Sequence, residues 1–271
     1  MTAGGPTEAP AFYDALAPLY HLVYPDWPAS VRRQGEQLSV LMQREWPRAT
    51  PQRRVLDVAC GIGTQALGLA QQGHAVTASD LSPGAVARAR GEAAKQGLDI
   101  ALSAADMREA HAHHGGGFDL ALCADNSLPH LLTDADLLQA LQQMHDCLAP
   151  GGGCVISVRD YAAEPRGRGI VKPYGVREEA GKRFLLSQVW DFEARPAAAD
   201  GTPQADLCHI AFFFIEEDLA SRQVRTHVMR SVYHAVPIAT LLHLMRAVGL
   251  RDVRRLDDVF YQPVLVGTRA G

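Results

Sequence analysis

The sequence predicts a single α/β domain with a doubly wound, mostly parallel sheet, and three observations predict it. From residue 53 to residue 160, short apolar stretches alternate with stretches of helical apolar spacing, which is the pattern of repeated βαβ units. Within this part, residues 55–66 end an apolar strand in a glycine turn that opens a helix. The length of 271 residues fits one such domain with an insertion.

The composition excludes several classes of protein. Hydrophobic residues make up 47% and charged residues 21%, which is ordinary globular usage and not that of a disordered or fibrous chain. The 26 Lys and Arg against 30 Asp and Glu leave no basic footprint for nucleic acid. No apolar run approaches the ~20 residues that cross a bilayer, and no leader segment is recognisable. We expect a cytoplasmic protein with a small-molecule partner and no nucleic acid or membrane, and leave homo-oligomerisation open.

Neither the cysteines nor the histidines predict a metal site. The five cysteines are odd in number and form no C-x-x-C pair, so we expect reduced, mostly buried thiols. The segment His111–Gly117 contains three histidines, but its glycines offer no rigid scaffold and no carboxylate or cysteine joins the histidines. This segment is predicted to be a solvated loop.

The first 160 residues divide into a cap and a core. Helical apolar spacing over Phe12–Tyr24 and Pro28–Trp46 predicts an N-terminal helical cap in residues 1–50, and Pro28 suits a first helical turn. Residues 51–160 form the predicted core of the sheet. In chain order its predicted strands and helices are Val55–Val58, Thr64–Gln72, Ala75–Ser79, Pro83–Gln96, Ile100–Ser103, Phe118–Ala124, Asp134–Leu148 and Cys154–Arg159.

The alternation ends after residue 160. Residues 161–235 are predicted to form an antiparallel β insertion after the fifth strand, with Ala194–Pro203 as a mobile, low-complexity loop. Residues 236–271 are predicted to close the fold with a helix and two strands. The predicted elements of these two parts are Phe184–Phe192, Leu207–Ile215, Val224–Tyr233, Ile238–Val248, Val253–Leu256 and Val264–Gly267.

The glycine turn predicts a ligand site. Gly61 and Gly63 allow a tight turn and close backbone approach, and the following helix offers free N–H groups. Asp80 ends the next strand, where its carboxylate would accept both ribose hydroxyls, because Ser82 is available to cap the following helix. Leu81 belongs to the same predicted pocket. These features also fit a nicotinamide dinucleotide site, or a turn that binds nothing.

Two further features favour a methyl donor over a dinucleotide. Asp57 lies on the first strand, where a buried carboxylate needs a cationic or N–H partner that an aminoacyl group would supply. Asp106 and Met107 follow the third strand, so that an acceptor for an adenine amino group lies beside a soft apolar side chain. The alternative for Asp106 is an ordinary loop aspartate. Ala59 and Ala124 complete the predicted donor site.

Three segments resemble the class I methyltransferases, and more narrowly the glycine/sarcosine N-methyltransferase family. Leu56-Asp-Val-Ala-Cys-Gly-Ile-Gly-Thr64 resembles the first motif of the class. Asp125-Asn126-Ser-Leu-Pro-His130-Leu resembles the G-N-S-x-x-H-L segment of the narrower family, and Val158-Arg159-Asp-Tyr161 resembles its H-R-N-Y segment. The donor motifs cover about residues 53–160, and the match on the acceptor side rests on about ten residues. The resemblance implies a Rossmann-like methyltransferase fold.

The resemblance also implies roles for individual residues. It places Asn126 and His130 near the transferred methyl group and Arg159 on a carboxylate of the acceptor, which a planar guanidinium binds at two points. Tyr24 stands in a segment similar to the family's Y-x-G-D, and Tyr233 ends another similar segment. We expect the cap tyrosines Tyr13, Tyr20 and Tyr24 to line the donor and amine pockets, with Tyr13 on the donor side. The alternative is that Arg159 lies on the surface and that the tyrosines are ordinary core residues.

Asp125 departs from the family, which has glycine at this position. An inward carboxylate would sit near the reacting centre, which argues against glycine as the substrate and favours a larger or more substituted amine. Asp125 would then take part in deprotonating that amine. The alternative is an aspartate that faces solvent.

The predicted function is methyl transfer from S-adenosylmethionine, with S-adenosylhomocysteine as product, to the nitrogen of an amino acid or related carboxylated amine. Such an in-line displacement needs positioning and exclusion of water rather than a metal. The alternatives are a small-molecule O-methyltransferase of secondary metabolism, an NAD-dependent oxidoreductase, and a non-catalytic adenosylmethionine-binding protein.

Overall fold

The computed structural model describes residues 9–197, 201 and 204–271, and it confirms the predicted α/β class. The α-helices in these ranges are α1 (Ala9–Leu16), α2 (Trp27–Glu45), α3 (Thr64–Gln71), α4 (Pro83–Lys95), α5 (Ala110–His114), α6 (Asp134–Cys147) and α7 (Ile238–Ala247). The strands are β1 (Arg54–Asp57), β2 (Ala75–Asp80), β3 (Ile100–Ala104), β4 (Phe118–Cys123), β5 (Leu148–Ser157), β6 (Ile170–Glu179), β7 (Lys182–Glu193), β8 (Leu207–Asp218), β9 (Val224–His234), β10 (Leu250–Leu256) and β11 (Val264–Arg269).

Seven strands form the central sheet in the order β10-β11-β5-β4-β1-β2-β3. Strands β1 to β5 are parallel, and β11 runs antiparallel between β5 and β10. Leu56 and Leu120 are buried on opposite faces, which is why the strands read as continuous apolar runs. The chain leaves β1 toward β2 on one side and later returns to β4 on the other. The carboxyl end of β1 is therefore the switch point where ligands bind in such sheets.

The predicted insertion is a four-stranded antiparallel sheet in the order β6-β7-β8-β9. Its inner face buries Trp190 and Phe214 against Phe12, Leu16 and Leu22 of the N-terminal segment. The N-terminal segment is therefore held between the insertion and the central sheet, over the carboxyl ends of the parallel strands.

The structure departs from the predicted secondary structure in the N-terminal segment and in the insertion. The stretch Phe12–Tyr24 is not one helix, because α1 ends at Leu16 and a separate 3-10 turn covers Tyr20–Val23. Pro18 lies at the break, where it has no N–H to continue the helix. The sequence also failed to predict β6, an edge strand that tolerates Pro173 at a bulge.

The histidine segment forms the short helix α5 instead of the predicted loop. The ring of His114 bonds to Ser79 Oγ at 3.0 Å, and that of His113 bonds to Ser103 Oγ at 2.9 Å. Among the described residues, no group of three or more His, Cys, Asp and Glu is arranged to hold a metal ion. None of the described helices combines the length and apolar character that a membrane span requires.

The predicted free thiols are confirmed, and one predicted loop is only partly described. All five cysteines are buried and free. The predicted mobile loop Ala194–Pro203 includes residues 198–200 and 202–203, which lie outside the described residues.

Helices α2 and α3 pack backbone against backbone through two glycines. A Cβ on Gly68 would lie 2.3 Å from the carbonyl oxygen of Val31, and a Cβ on Gly35 would lie 2.3 Å from the carbonyl carbon of Gly68. Neither contact has room for a methyl group, because both obstacles are main-chain atoms. This crossing attaches the N-terminal cap to the helix that begins at the glycine turn.

We expect Gly68→Ala to lower the stability of the protein. Overpacking of this kind costs about 1–3 kcal/mol, which outweighs the roughly 1 kcal/mol of helix propensity that alanine gains. The matched control is Gly91→Ala in α4, where nothing lies within 4 Å of an added Cβ and where a stabilisation of roughly 0.5–1 kcal/mol is expected. Thermal unfolding followed by circular dichroism measures both, and shifts of equal sign would contradict the backbone crossing.

Candidate active site

A cavity of about 550 Å³ opens at the carboxyl ends of β1 to β4, beneath the N-terminal segment. The predicted site residues that line it are Tyr13, Tyr24, Ala59, Gly61, Asp80, Leu81, Asp106, Met107, Asp125 and His130. The predicted site residues that do not line it are Asp57, Gly63, Ala124, Asn126, Arg159 and Tyr233. The volume suits a ligand of nucleotide size.

The glycine turn forms the floor of the cavity. Gly61 has φ +53° and Gly63 has φ +95°, values that favour glycine. A Cβ on Gly63 would stand 3.2 Å from the side chains of Leu67 and Ala89, so this glycine serves the packing of α3 on α4. Gly61 faces the cavity, as the sequence predicts, and Gly63 lies behind it.

Asp80 connects the turn after β1 with the turn after β2. Its Oδ2 accepts the Gly61 N–H at 2.8 Å, and its Oδ1 accepts the Ser82 N–H at 2.9 Å. Ser82 caps α4 by accepting the Ala85 N–H, as the sequence predicts. Burial raises the pKa of Asp80, and the two N–H donors oppose that shift.

Asp57 lies under the turn and not in the cavity wall. Its side chain is 0% exposed; Oδ1 accepts the Ala59 N–H at 3.2 Å, while Oδ2 has no hydrogen-bond partner among the described residues. Burial raises the pKa of Asp57 to about 7. Only Oδ1 therefore has an N–H partner, and Asp57, which does not line the cavity, is placed behind the turn and not in the predicted direct contact with the aminoacyl group.

The part of the cavity wall after β3 combines an apolar surface with an ion pair. Leu81 is 44% exposed and faces the cavity together with Met107. Asp106 accepts the Arg108 N–H at 2.8 Å and pairs with the Arg108 guanidinium at 2.6 Å. Arg108 also reaches Asp136 at 2.9 Å. Asp106 is therefore fixed by Arg108, a neighbour that the sequence analysis did not consider.

Asp125 points into the cavity, which excludes the solvent-facing alternative. Its φ is +56°, the left-handed conformation that explains why a related sequence places glycine there and that aspartate tolerates. Its Oδ2 accepts hydroxyl hydrogen bonds from Tyr20 at 3.2 Å and from Tyr24 at 3.1 Å. Ser157 Oγ accepts the Asp125 N–H at 2.8 Å and anchors the turn to β5.

His130 is a neutral polar group in the same wall. Its Nε2 lies 2.9 Å from the Tyr13 hydroxyl, and its Nδ1 lies 3.3 Å from Ser231 Oγ. The Tyr233 ring packs against it with the ring centroids 4.5 Å apart. Burial lowers the pKa of His130 to about 4, so the ring carries no charge at neutral pH.

Comparisons with known proteins agree with this geometry. Residues 55–152 match the methyltransferase domain family. The glycine/sarcosine N-methyltransferase of Parasynechococcus marenigrum is 31% identical over 136 residues, or 50% of this chain and 46% of that relative. Residues 55–152 of this chain are therefore a methyltransferase domain. The chain spans about half the length of that relative.

Solved structures share the fold of the methyltransferase domain and its insertion. The amino pentose methyltransferase CalS10 of Micromonospora echinaspora, solved with S-adenosylmethionine bound, has a TM-score of 0.73 at 21% identity and covers 89% of this chain and 92% of its own. DesVI of Streptomyces venezuelae has a TM-score of 0.78 at 22% identity and covers 94% and 98%. At these identities the likeness concerns the fold alone.

Asn126 is corrected from a predicted contact residue to a positioning residue of the methyltransferase domain. Its side chain is 2% exposed, its Oδ1 accepts the Arg159 N–H at 3.0 Å, and its Nδ2 donates to the Tyr161 hydroxyl at 2.9 Å. Each end of the amide thus makes one hydrogen bond within the protein. Asn126 joins the chain after β5 to the turn that presents Asp125.

Arg159 lies behind the cavity, at the border with the insertion. Its guanidinium lies 5.0 Å from the Trp190 ring centroid and donates to the Tyr174 hydroxyl at 3.3 Å, while the buried Nε has no partner among the described residues. Arg159 is not on the surface, and it keeps donor capacity for an anionic group.

Tyr261, which no sequence pattern predicted at the site, lies between β10 and β11 near Asp125. Tyr20, expected with Tyr13 and Tyr24 in the pocket wall, lines the cavity. A tyrosine in an irregular connection carries no periodic or motif signal, so only the fold reveals that Tyr261 faces Asp125.

We expect the pH dependence of stability to report Asp57. A carboxyl group whose pKa is raised in the folded state contributes most below its unfolded pKa, near 4. That contribution is lost as pH rises toward about 7, by roughly 4 kcal/mol. Asp57→Asn is nearly isosteric and does not titrate, so the variant gains stability relative to the wild type between pH 4.5 and pH 7.5.

Urea unfolding without ligand at those two pH values measures the effect. The control is Asp99→Asn, which changes an exposed carboxylate at the start of β3. Parallel pH dependence in the wild type and in Asp57→Asn would show that Asp57 ionises normally.

Proposed function

We propose that the protein transfers a methyl group from S-adenosylmethionine to the nitrogen of a small-molecule acceptor, an amino acid or related carboxylated amine. One observation carries this proposal. A single cavity is lined both by the glycine turn with the Asp80 carboxylate and by a second carboxylate, Asp125, which accepts hydrogen bonds from tyrosine hydroxyls.

The residues present fit the donor. S-adenosylmethionine supplies a methyl group on a positively charged sulfur. Asp80 has a lone pair left on each oxygen for the ribose hydroxyls, and Leu81 and Met107 offer apolar surface to the adenine. Thr64, the first residue of α3, lines the cavity after the glycine turn, and the N-terminus of a helix suits the carboxylate of the aminoacyl end.

The chain contributes position and a dry environment to the reaction. The N-terminal segment covers the acceptor end with Tyr13, Tyr20 and Tyr24, which limits the access of water to the reacting groups. The neutral ring of His130 orients the Tyr13 hydroxyl without adding a positive charge that would repel an ammonium group. Such positioning is what an in-line displacement with a good leaving group requires.

The nature of the acceptor is supported from two sides. Asp125 lines the cavity, and Arg159 lies behind it, close enough for its positive charge to lower the pKa of Asp125, so a zwitterion would meet a negative group in the cavity wall with a positive group behind it. Among the proteins of similar sequence or fold, one is named a glycine/sarcosine N-methyltransferase and one an amino pentose methyltransferase. Both names describe acceptors that carry an amine.

The first test is donor affinity. We expect S-adenosylmethionine and S-adenosylhomocysteine to bind with micromolar-range affinity and nicotinamide dinucleotides not to bind. Asp80→Ala should weaken donor binding roughly 10- to 100-fold, because a charge-assisted hydrogen bond to ribose is worth roughly 1.5–3 kcal/mol. Isothermal titration calorimetry measures it, with Asp99→Ala as the control outside the cavity. Dinucleotide binding by the wild type would support an oxidoreductase instead.

The second test concerns the acceptor carboxylate. If Arg159 holds it, Arg159→Lys keeps the charge but loses the two-point fork, so the KM for the acceptor rises while donor affinity is unchanged. A panel of amino acids, their methyl esters, amino sugars and phenols, assayed by mass spectrometry, should show better turnover of acids than of esters. Equal turnover of acids and esters would remove the carboxylate from the proposal, and preferred methylation of phenols would indicate an O-methyltransferase.

A further inference from the structure

Asp125 is held in one position by groups from separate parts of the fold. Its backbone is fixed by Ser157 at the end of β5, and its carboxylate is held by Tyr20 and Tyr24 of the N-terminal segment. An ionised carboxylate can only accept hydrogen bonds, and the two tyrosine hydroxyls donate to it. They do not neutralise its charge, as a lysine or arginine in direct contact would. The negative charge therefore stays available to a ligand.

Tyr20 places this carboxylate next to the donor end of the cavity. Its ring edge lies 3.5 Å from the place a Cβ would take on Gly61, and its hydroxyl lies 3.2 Å from Asp125 Oδ2. One side chain thus spans from the glycine turn to Asp125. A group that binds Asp125 lies within a few ångströms of whatever the glycine turn holds.

Aromatic rings border the space in front of the carboxylate. The centroids of Tyr13 and Tyr20 are 5.9 Å apart, and those of Tyr20 and Tyr24 are 6.4 Å apart. Rings around a carboxylate are a suitable environment for an ammonium group that carries methyl substituents, because the ring faces attract a cation and the methyl groups need no hydrogen bonds.

We propose that Asp125 binds the acceptor as an ammonium ion and accepts its proton before methyl transfer, which restricts the enzyme to aliphatic amines, including N-methylated ones. This inference rests on the proposed function. A neutral alcohol or phenol brings no positive charge to compensate the desolvated carboxylate, and so it is a poor ligand at this position.

The reaction balances in protons and electrons. An N–H bond of the ammonium ion breaks, and its proton goes to Asp125, which leaves a lone pair on nitrogen. The nitrogen forms the new N–C bond with that lone pair, while the C–S bond of the sulfonium breaks and its electron pair goes to sulfur. The products are a methylated ammonium ion, a neutral thioether and a protonated Asp125, which returns its proton to solvent.

Other ionisable groups that face Asp125 act on the same proton. They come from α1, the segment before α2, the end of β5, β9 and the connection before β11, and they are Tyr13, Tyr20, Tyr24, Arg159, Tyr233 and Tyr261. Burial raises the pKa of Asp125, whereas the positive charge of Arg159 and the tyrosine hydroxyls oppose that shift. A carboxyl group with a raised pKa is the better proton acceptor near neutral pH.

The experiment is a pH profile of kcat/KM for wild type and Asp125→Asn, with sarcosine or the best amine of the acceptor panel. For the wild type we expect a bell, limited at low pH by protonation of Asp125 and at high pH by loss of the ammonium ion. Asp125→Asn should lower kcat/KM at pH 7 by about 10²- to 10⁴-fold. Because this variant needs the neutral amine, its kcat/KM should keep rising with pH up to the pKa of the acceptor.

Two other variants separate a chemical role from a structural one. Tyr24→Phe removes a hydroxyl that favours the charged carboxylate, so the acidic limb of the profile should move to higher pH while donor affinity is kept. Asp99→Asn, which changes an exposed carboxylate, should leave the profile unchanged. If Asp125→Asn does not fold, the Tyr24→Phe profile still decides the question.

The outcomes distinguish this inference from the proposed function. A wild-type enzyme that binds the donor but methylates no amine contradicts the proposed function. A wild-type enzyme that methylates amines, with Asp125→Asn and Tyr24→Phe profiles that coincide with it, overturns only the role of Asp125. Efficient methylation of a phenol by the wild type overturns the restriction to amines.

Discussion

The Asp80 carboxylate holds together the two turns on which the site depends. It accepts the N–H of Gly61 from the turn after β1 and the N–H of Ser82 from the turn after β2. Adjacent parallel strands fix these turns only through their main chains, so the spacing between the turns would otherwise vary with loop conformation. One side chain sets that spacing, and it leaves a lone pair of each oxygen directed elsewhere. The geometry of the donor end is therefore largely formed before any ligand binds.

The N-terminal segment is fixed to the same place. Asp14 accepts the Gly84 N–H at 2.8 Å and the hydroxyl of Ser82, so α1 contributes a second acceptor to the start of α4. A Cβ on Gly84 would approach the Asp14 carboxylate to 2.8 Å, which accounts for glycine at that position. The segment that carries Tyr13 and Tyr20 is thus anchored by hydrogen bonds at the donor end and by Phe12 in the apolar cluster of the insertion. Ser82 therefore contacts both Asp80 and Asp14, and it joins the turn at the donor end to the N-terminal segment that covers the cavity.

The parts of the fold that could be predicted from the sequence are those encoded in patterns of neighbouring residues. The alternation of apolar strands and helices identified β1 to β5 and their helices, and the glycine turn and Asp80 identified the donor end of the cavity. Strand β6 was not predicted, because its proline, Pro173, and its charged residues are typical of a loop, although an edge strand tolerates both. The break after α1 shows the opposite error, since the apolar spacing continues past Pro18 although the helix cannot.

Likeness to a motif did not by itself place a residue in the cavity wall: Tyr24 and His130 line the cavity, whereas Asn126, Arg159 and Tyr233 do not. Asn126 belongs to a segment that resembles a family motif, yet its amide bonds to Arg159 and Tyr161. Asp125 does not match the motif, yet it faces the cavity, because the left-handed turn that glycine would make is kept while a side chain is added. No local pattern joins Tyr261 to Asp125, since only the closing strands of the sheet bring them together.

The charges of the site point to positively charged ligands. Asp57, Asp80 and Asp125 lie at the carboxyl ends of neighbouring strands, Asp57 fully buried and the other two in the cavity wall, and desolvation raises the pKa of each. Without a ligand, the fold therefore bears the desolvation of three carboxyl groups, and only N–H and hydroxyl donors contact them directly. A sulfonium ion and an ammonium ion both remove part of this cost when they bind, whereas neutral isosteres do not. After transfer under the proposed mechanism the sulfur is neutral, so this electrostatic attraction is weaker for the spent donor than for the fresh one. The same desolvation that destabilises the free protein thus favours exchange of product for substrate.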